Sequence, residues 1–390
     1  MLNREATMKL LSFTRIFRST SLSTYLVTTS IFSVLLVLVS MYMEKATSRV
    51  CERYNAAAKK EYPIIEGAWR KIEPLPHQSE VTLISQLKWT REKSKQLYYM
   101  VQQWEGPISI AILLPWPEEL PQIVQELLEH PLLSNRKNVD LQFVRGDGEE
   151  EFYPINLMRN IGLHHARTDY VFIVDIDAIP NIGLYQSLKR HIISDDLNDR
   201  TAVAVPVFEF RTPEDIVPVP SHKHEVISLL MNNKSIPSLF TMYCPSHYVT
   251  NYTNWITADK PYYVAFQRHC EPYIMVKRSE IPDFKEYFVN GFYDRTSHVE
   301  ELAAMGFRFQ VIPDGWLFDH PHSRTPRSYF QMCADVQNGH FAQYLSGKYQ
   351  FPSEFWFKVR DSVIYTLVNL NVMSPPCLTS WEAFLKTSTH

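Results

Sequence analysis

Beyond residue 80 the apolar positions of this chain fall into two alternating patterns. VTLISQL (81–87), ISIAILLP (108–115) and VDLQFVR (139–145) are short, nearly unbroken apolar runs rich in β-branched residues, as strands buried on both faces are. Between them, TREKSKQLYYMVQQW (90–104), PEELPQIVQELLEH (117–130) and PINLMRNIGLHHAR (154–167) space their apolar residues three and four apart, which predicts helices with one buried face. The alternation predicts an α/β domain on a mostly parallel sheet covered on both sides. The next run, YVFIVDIDAIPN from Tyr170 to Asn181, drives a strand into two aspartates, Asp175 and Asp177. Ligands of such sheets bind beyond the carboxyl ends of the strands, where these two carboxylates are expected.

Carboxylates at i and i+2 of an extended segment point the same way. On so apolar a strand their charge must be compensated by a cation or by donors. Hard oxygen ligands suit Mg²⁺ or Mn²⁺, which in turn take the phosphates of a nucleotide. A solvated strand end before a Pro-Asn turn is the alternative. Phosphatases of the haloacid-dehalogenase type also use D-x-D, but near the start of the domain and followed by a small hydroxyl residue; here three strands and three helices come first, and Ile179 fills that place.

The N-terminal pattern is different. Ser21 to Met43 runs 23 residues without a formal charge, the length of a membrane-spanning helix. Arg4, Lys9, Arg15 and Arg18 outweigh Glu5 before it, which keeps the N-terminus cytosolic and the bulk of the chain on the lumenal or outer side. A cleaved signal peptide fits less well, because the apolar region is long and lacks a small-residue cleavage site. The organisation expected is a cytosolic tail (1–20), an anchor (21–43), a charged, Ala- and Pro-bearing stem (44–80) and a lumenal domain (81–390). Sequons at Asn233 and Asn251 fit a lumenal chain. The cysteines, at 51, 244, 270, 333 and 377, all lie beyond the span, where disulfides can form; the odd one out, Cys51 near the membrane, can link two chains into a homodimer through the stem or remain a free thiol. A net charge of −3 offers no basic surface for nucleic acid.

The segment YPINLMRNIGLHHARTDYVFIVDIDAIP resembles the donor-site segment of glycosyltransferase family 49, in which a Tyr-Pro-x-Asn-x-x-Arg-Asn helix precedes a D-x-D strand. VTLISQL, WEGPISIAILL (104–114), CEPYIMVKR (270–278), FVNGFYDRTSHVEEL (288–302) and VIPDGWLFDHPHS (311–323) match further blocks in the same order. The resemblance runs from Val81 to Tyr349 and is vague between 185 and 260. It implies a GT-A, Rossmann-like nucleotide-sugar domain, a UDP-sugar donor with Mn²⁺ or Mg²⁺, and inverting transfer of glucuronate or xylose to a glycan or glycoprotein acceptor. It also implies a Golgi membrane position with the domain in the lumen.

Carried onto this sequence, the resemblance makes Asp177 a metal ligand and Asp175 a contact of metal, ribose or both. The family's third ligand, a histidine, matches Asp319 here, so either Asp319, His320 or His322 supplies it or metal use is weakened. Arg159 and Asn156, one turn apart on the helix before the strand, and Gln86 on the first strand join Asp175 as candidates for the donor nucleotide; a salt bridge from Arg159 to either aspartate is the competing reading. Asp294 in GFYDRTSH is the expected catalytic base, with Glu271 in CEPY as the alternative; Glu271 as a buried acid ordering the acceptor loop is its structural reading. Arg295, Lys277 and Arg278 are candidate partners for a glucuronate carboxylate, or solvated charges. A degenerate family member that binds glycans or stabilises a partner is the rival to an active enzyme.

Overall fold

The computed structural model describes residues 51–65, 80–114, 117–146, 148, 151–194, 197–210, 212–237, 250–268, 270–320 and 330–351. The chain divides into two compact units, Met1–Tyr54 and Asn55–His390, and the elements below belong to the second. The expected membrane span, 21–43, lies outside the described residues, among which no helix is long and apolar enough to cross a membrane.

The expected alternation is present: β1 (Val81–Lys88), α1 (Arg91–Gln103), β2 (Ile108–Leu114), α2 (Leu120–Glu129), β3 (Val139–Arg145), α3 (Ile155–His165) and β4 (Tyr170–Ile173). These four strands pair in parallel in the order β3-β2-β1-β4. Every residue of β2 is buried, as a strand covered on both faces must be. The sheet then turns mixed. β10 (Tyr273–Lys277) runs antiparallel to both β4 and β6 (Thr201–Val205), β11 (Arg308–Val311) is parallel to β6, and β9 (Tyr262–Val264) closes the far edge antiparallel to β11. The mostly parallel expectation thus holds for one half of the eight-stranded sheet.

A second sheet of four strands runs in the order β5 (Ala178–Pro180), β12 (Leu317–Asp319), β7 (Val207–Phe210), β8 (Ser235–Pro237). The segment read as one strand through Asp177 is therefore two. β4 ends at Ile173, and the chain turns a corner and enters the small sheet as β5. Asp175 and Asp177 sit on that corner rather than on extended backbone. Pairing decides this: β5 takes its hydrogen bonds from β12, a strand 140 residues away that no local pattern announces.

Part of the expected stem also belongs to the fold. Arg145 N donates to Pro63 O at 2.9 Å and Ile65 N to Phe143 O at 2.8 Å, so residues 63–65 cover the open edge of β3, as an exposed edge requires. Cys51 and Cys333 are both disulfide-bonded, which overturns the free-thiol alternative for Cys51; Cys270 is a free, buried thiol, and Cys244 and Cys377 lie outside the described residues.

Helix α3 positions the site, and Gly162 sets its distance from the sheet. Ser109 Oγ donates to Gly162 O at 2.8 Å, and a Cβ there would come within 2.9 Å of Ile84 Cγ2. Gly162→Ala is expected to cost about 1–3 kcal/mol through overpacking, read as a lower midpoint in thermal or denaturant unfolding; an unchanged midpoint would show that α3 can retreat from β1 freely.

Candidate active site

The corner is closed by a hydrogen bond from Ala178 N to Asp175 O at 3.0 Å. Within it, the Asp175 carboxylate is fully engaged. Oδ1 accepts from Gln86 Nε2 (3.1 Å) and Arg159 Nη2 (2.8 Å), and Oδ2 from Tyr273 Oη (3.2 Å) and Arg295 Nη1 (2.9 Å). An ionised carboxylate has about four acceptor positions, so this one has none left for a metal ion. Burial alone would raise its pKa, but Arg295 and Arg159 hold it well below the usual carboxylate range. Asp175 anchors the corner, and the expected metal or ribose contact would have to displace one of these four donors.

The donor-site candidates beside it also face inward. Arg159, 2% exposed, donates to Asn156 Oδ1 (2.9 Å) and Asp294 Oδ2 (2.6 Å) as well as to Asp175. Asn156 Nδ2 donates to the backbone oxygens of Lys285 and Asp294. Gln86, Arg159 and Asn156 each satisfy a buried polar group of the protein. Asp294 opens α7 (Asp294–Ala304) and is the ion partner of Arg159, a poor position for the expected base. The salt-bridge reading of Arg159 is the one the geometry follows.

Arg295 is likewise not a solvated cation. Its guanidinium lies 4.0 Å from the Tyr273 ring centroid, bonds Asp175, and approaches Glu271 Oε2 at 3.8 Å. Lys277 pairs with Asp199 and stands opposite Tyr170, at the end of β4 remote from the corner. Arg278 Nε donates to Thr168 O. The three expected partners of a sugar carboxylate are thus committed or distant.

Asp177 behaves differently from its neighbour. Its Oδ2 accepts from Lys93 Nζ at 2.7 Å, and its backbone oxygen from His320 N at 2.9 Å. Asp319 ends β12 opposite Ala178. The Tyr273 hydroxyl feels the charges of Asp175, Asp319 and Asp177 together, and burial with these charges raises its pKa far above the ordinary value. The His320 ring packs edge-on against Tyr99, and burial lowers its pKa against the pull of Asp177. His322 lies outside the described residues. Among the described residues no three His, Cys, Asp or Glu side chains converge to enclose a metal by themselves.

Glu271 gains affinity for protons, where Asp175 loses it. Burial pushes it up to about 7, against the attraction of Arg295. Of the residues the sequence did not single out, Lys93 looks like any helix-surface lysine, although Thr90 caps its turn. Tyr273 stands inside the matched CEPYIMVKR block, and Tyr153 begins the Tyr-Pro motif; the Tyr153 hydroxyl is buried without a hydrogen-bond partner.

Two substitutions separate anchor from working group. Arg159→Leu leaves Asp294 without its buried cation and takes one of two guanidinium partners from Asp175, and is expected to cost about 3–5 kcal/mol in denaturant unfolding, whereas Asp177→Asn removes a partly exposed pair and is expected to cost about 1 kcal/mol or less. Asp175 has a folded pKa below its unfolded value, so its contribution is present above about pH 3.9 and is lost as the pH falls further. Equal losses for the two variants would contradict this division.

Residues 124–323 match the family described as "Glycosyl-transferase for dystroglycan". Among curated proteins, "Xylosyl- and glucuronyltransferase LARGE1" of Mus musculus is 32% identical over 290 residues, 72% of this chain and 37% of that protein. "Xylosyl- and glucuronyltransferase LARGE2s" of Danio rerio is 33% identical over 288 residues, with the same shares. The chain thus spans 37% of the length of these relatives. A solved structure titled "Crystal structure of GalNAc-T7 with UDP, GalNAc and Mn2+" superposes on 80% of this chain and 55% of its own at 11% identity, with a TM-score of 0.47, a likeness too loose to carry weight. The matched span contains Arg159, Asp175, Asp177, Glu271, Asp294, Arg295 and Asp319, the corner and its supports: this chain belongs to the glycosyltransferase family described as "Glycosyl-transferase for dystroglycan".

Proposed function

We propose that this chain is a metal-dependent, inverting glycosyltransferase of the GT-A type. It moves a sugar, xylose or glucuronate, from a UDP-sugar to a glycan acceptor, in the Golgi lumen behind an anchor at 21–43. The observation that carries the reading is the unequal treatment of two neighbouring aspartates. Asp175 takes hydrogen bonds from four side chains in building the corner, whereas Asp177 faces a flexible lysine ammonium 2.7 Å away. The names of the relatives support the two sugars.

A divalent cation fits Asp177. The Lys93 ammonium stands where positive charge is wanted, and the nearby donors are hard oxygens, as Mn²⁺ and Mg²⁺ prefer. Asp177, with Asp319 one strand across, would hold the ion; so few protein ligands suit one that takes its remaining oxygens from water and phosphate. An ion held there would supply Lewis-acid and electrostatic stabilisation for the negative charge of a departing nucleoside diphosphate.

The chain's own residues provide the rest. Inverting transfer needs a base to take the acceptor hydroxyl proton. Glu271 suits that role, because a carboxyl poised near 7 is ionised enough to accept a proton and basic enough to keep it. Arg295, beside Glu271 and bonded to Asp175, ties the base to the corner. Tyr153 aims a buried hydroxyl into the same field of Asp175 and Asp177 and is placed to donate to an incoming oxygen.

The test is UDP release from a panel of UDP-sugars with and without Mn²⁺. One donor is expected to turn over only with the metal, and Asp177→Ala to fall to background while keeping its unfolding midpoint. Near-normal turnover by that variant would remove the metal assignment. For the base, kcat/KM is expected to rise with pH through about 7 as Glu271 loses its proton. Glu271→Gln should abolish that inflection and lower kcat by roughly 10²–10⁴; retention of the inflection in Glu271→Gln would move the base elsewhere.

A further inference from the structure

Lys93 holds Asp177 in a pair whose cation, 26% exposed, is far more open than the two arginines of the corner, at 2% and 8%. Arg159 and Asp294 are 2% and 8% exposed in their side chains, so that bond is sealed in. Lys93 and Asp177 are 26% and 13% exposed, so water reaches the pair and can replace either partner. Only one end of Lys93 is fixed. Its backbone N donates to Thr90 Oγ1 at 3.1 Å, which sets its place in the first turn of α1, while the four-carbon arm beyond is free to swing. The arm's charge also sits wrongly for a cation on Asp177, because a divalent ion and an ammonium on one carboxylate repel at close range.

Resting on the metal reading of Asp177 given above, we propose that Lys93 is a charge-exchange residue. Its ammonium neutralises Asp177 in the nucleotide-free protein, yields the carboxylate to a divalent cation, and turns onto the phosphates of a nucleoside diphosphate. Two consequences follow from charge alone. Lys93 competes with the free ion, so the ion by itself binds weakly. The displaced ammonium then adds positive charge where the nucleotide's two phosphates arrive, so ion and nucleotide each strengthen the binding of the other by the same factor. The corner need not move, because Asp175 holds it through other partners.

The experiment titrates Mn²⁺ into the whole chain by its paramagnetic resonance signal, alone and with UDP present, so that no turnover is needed. Removing the competitor with Lys93→Met is expected to tighten binding of Mn²⁺ alone roughly two- to fivefold, the range for loss of a partly exposed ion pair. The same variant should weaken UDP binding to the Mn²⁺-loaded protein and shrink the mutual strengthening of the two ligands. Lys93→Arg keeps the charge and should retain the parent's weak affinity for Mn²⁺ alone. Asp177→Asn should lose Mn²⁺ in every background. If Lys93→Met binds Mn²⁺ no more tightly than the parent while Asp177→Asn still loses it, the exchange role is overturned and the metal reading stands. If Asp177→Asn binds Mn²⁺ as the parent does, the metal reading itself fails and takes this inference with it.

Discussion

Asp175 keeps a negative charge at the corner between the two sheets, and donors from four different elements converge on it: Gln86 from β1, Arg159 from α3, Tyr273 from β10 and Arg295 from α7. A buried carboxylate without partners would protonate or destabilise the fold. With these four it instead clamps the parallel half of the main sheet, the helix in front of it and the antiparallel strand behind it. Arg159 extends the clamp to Asp294 and Asn156, and Asn156 to the backbone of Lys285. The geometry at the mouth of the site is therefore inherited from one charge beneath it, which is how a reactive group gains a rigid support.

That support separates two residues the sequence presents as equals. An aspartate saturated by four donors is electrostatically satisfied and chemically occupied. An aspartate paired with a flexible ammonium remains negotiable. In the D-x-D pattern here the first carboxylate is held by four side-chain donors, and the second, which follows on the same corner, is the one proposed to work. Asp319 reaches the same corner because β12 pairs with β5.

Helix α7 is the second organising element, and its buried charge is distributed along its length. Asp294 and Arg295 serve the corner. One to two turns later Glu301, with no exposed surface, takes Lys285 Nζ at 2.7 Å and accepts from the hydroxyls of Tyr344 and Tyr349, both on α8 (Gln331–Tyr349). Phe288, Phe341 and Leu345 close an apolar cluster at the same junction. Between these groups His298 stacks on Phe284 at 3.9 Å, and burial pushes its pKa down to about 3. The same Phe284 ring lies 5.4 Å from the Arg159 guanidinium. A neutral imidazole spares Arg159 a competing positive charge, so this layer supports the cation that holds Asp175.

The sequence by itself determined the strands and helices up to Tyr170, the place of the site beyond the strand ends, and the membership that its ordered motif blocks implied. Those properties follow from local periodicity and short spacing, because a strand buried on both faces must be apolar throughout and a covering helix must be apolar on one side. Only the tertiary structure decided which polar residues work and which hold. Gln86 and Asp175 are 89 residues apart, Arg295 and Asp175 are 120 apart, and Arg159 and Asp294 are 135 apart. Nothing in the neighbourhood of Arg159 distinguishes a phosphate-binding arginine from one that must neutralise a distant aspartate, and nothing around Lys93 distinguishes a solvated lysine from the partner of Asp177. The break of YVFIVDID into strand, corner and strand had the same origin. A chain's local pattern fixes which groups are buried, but the partner that compensates a buried charge is chosen by topology, and topology brings together residues that no window of the sequence contains.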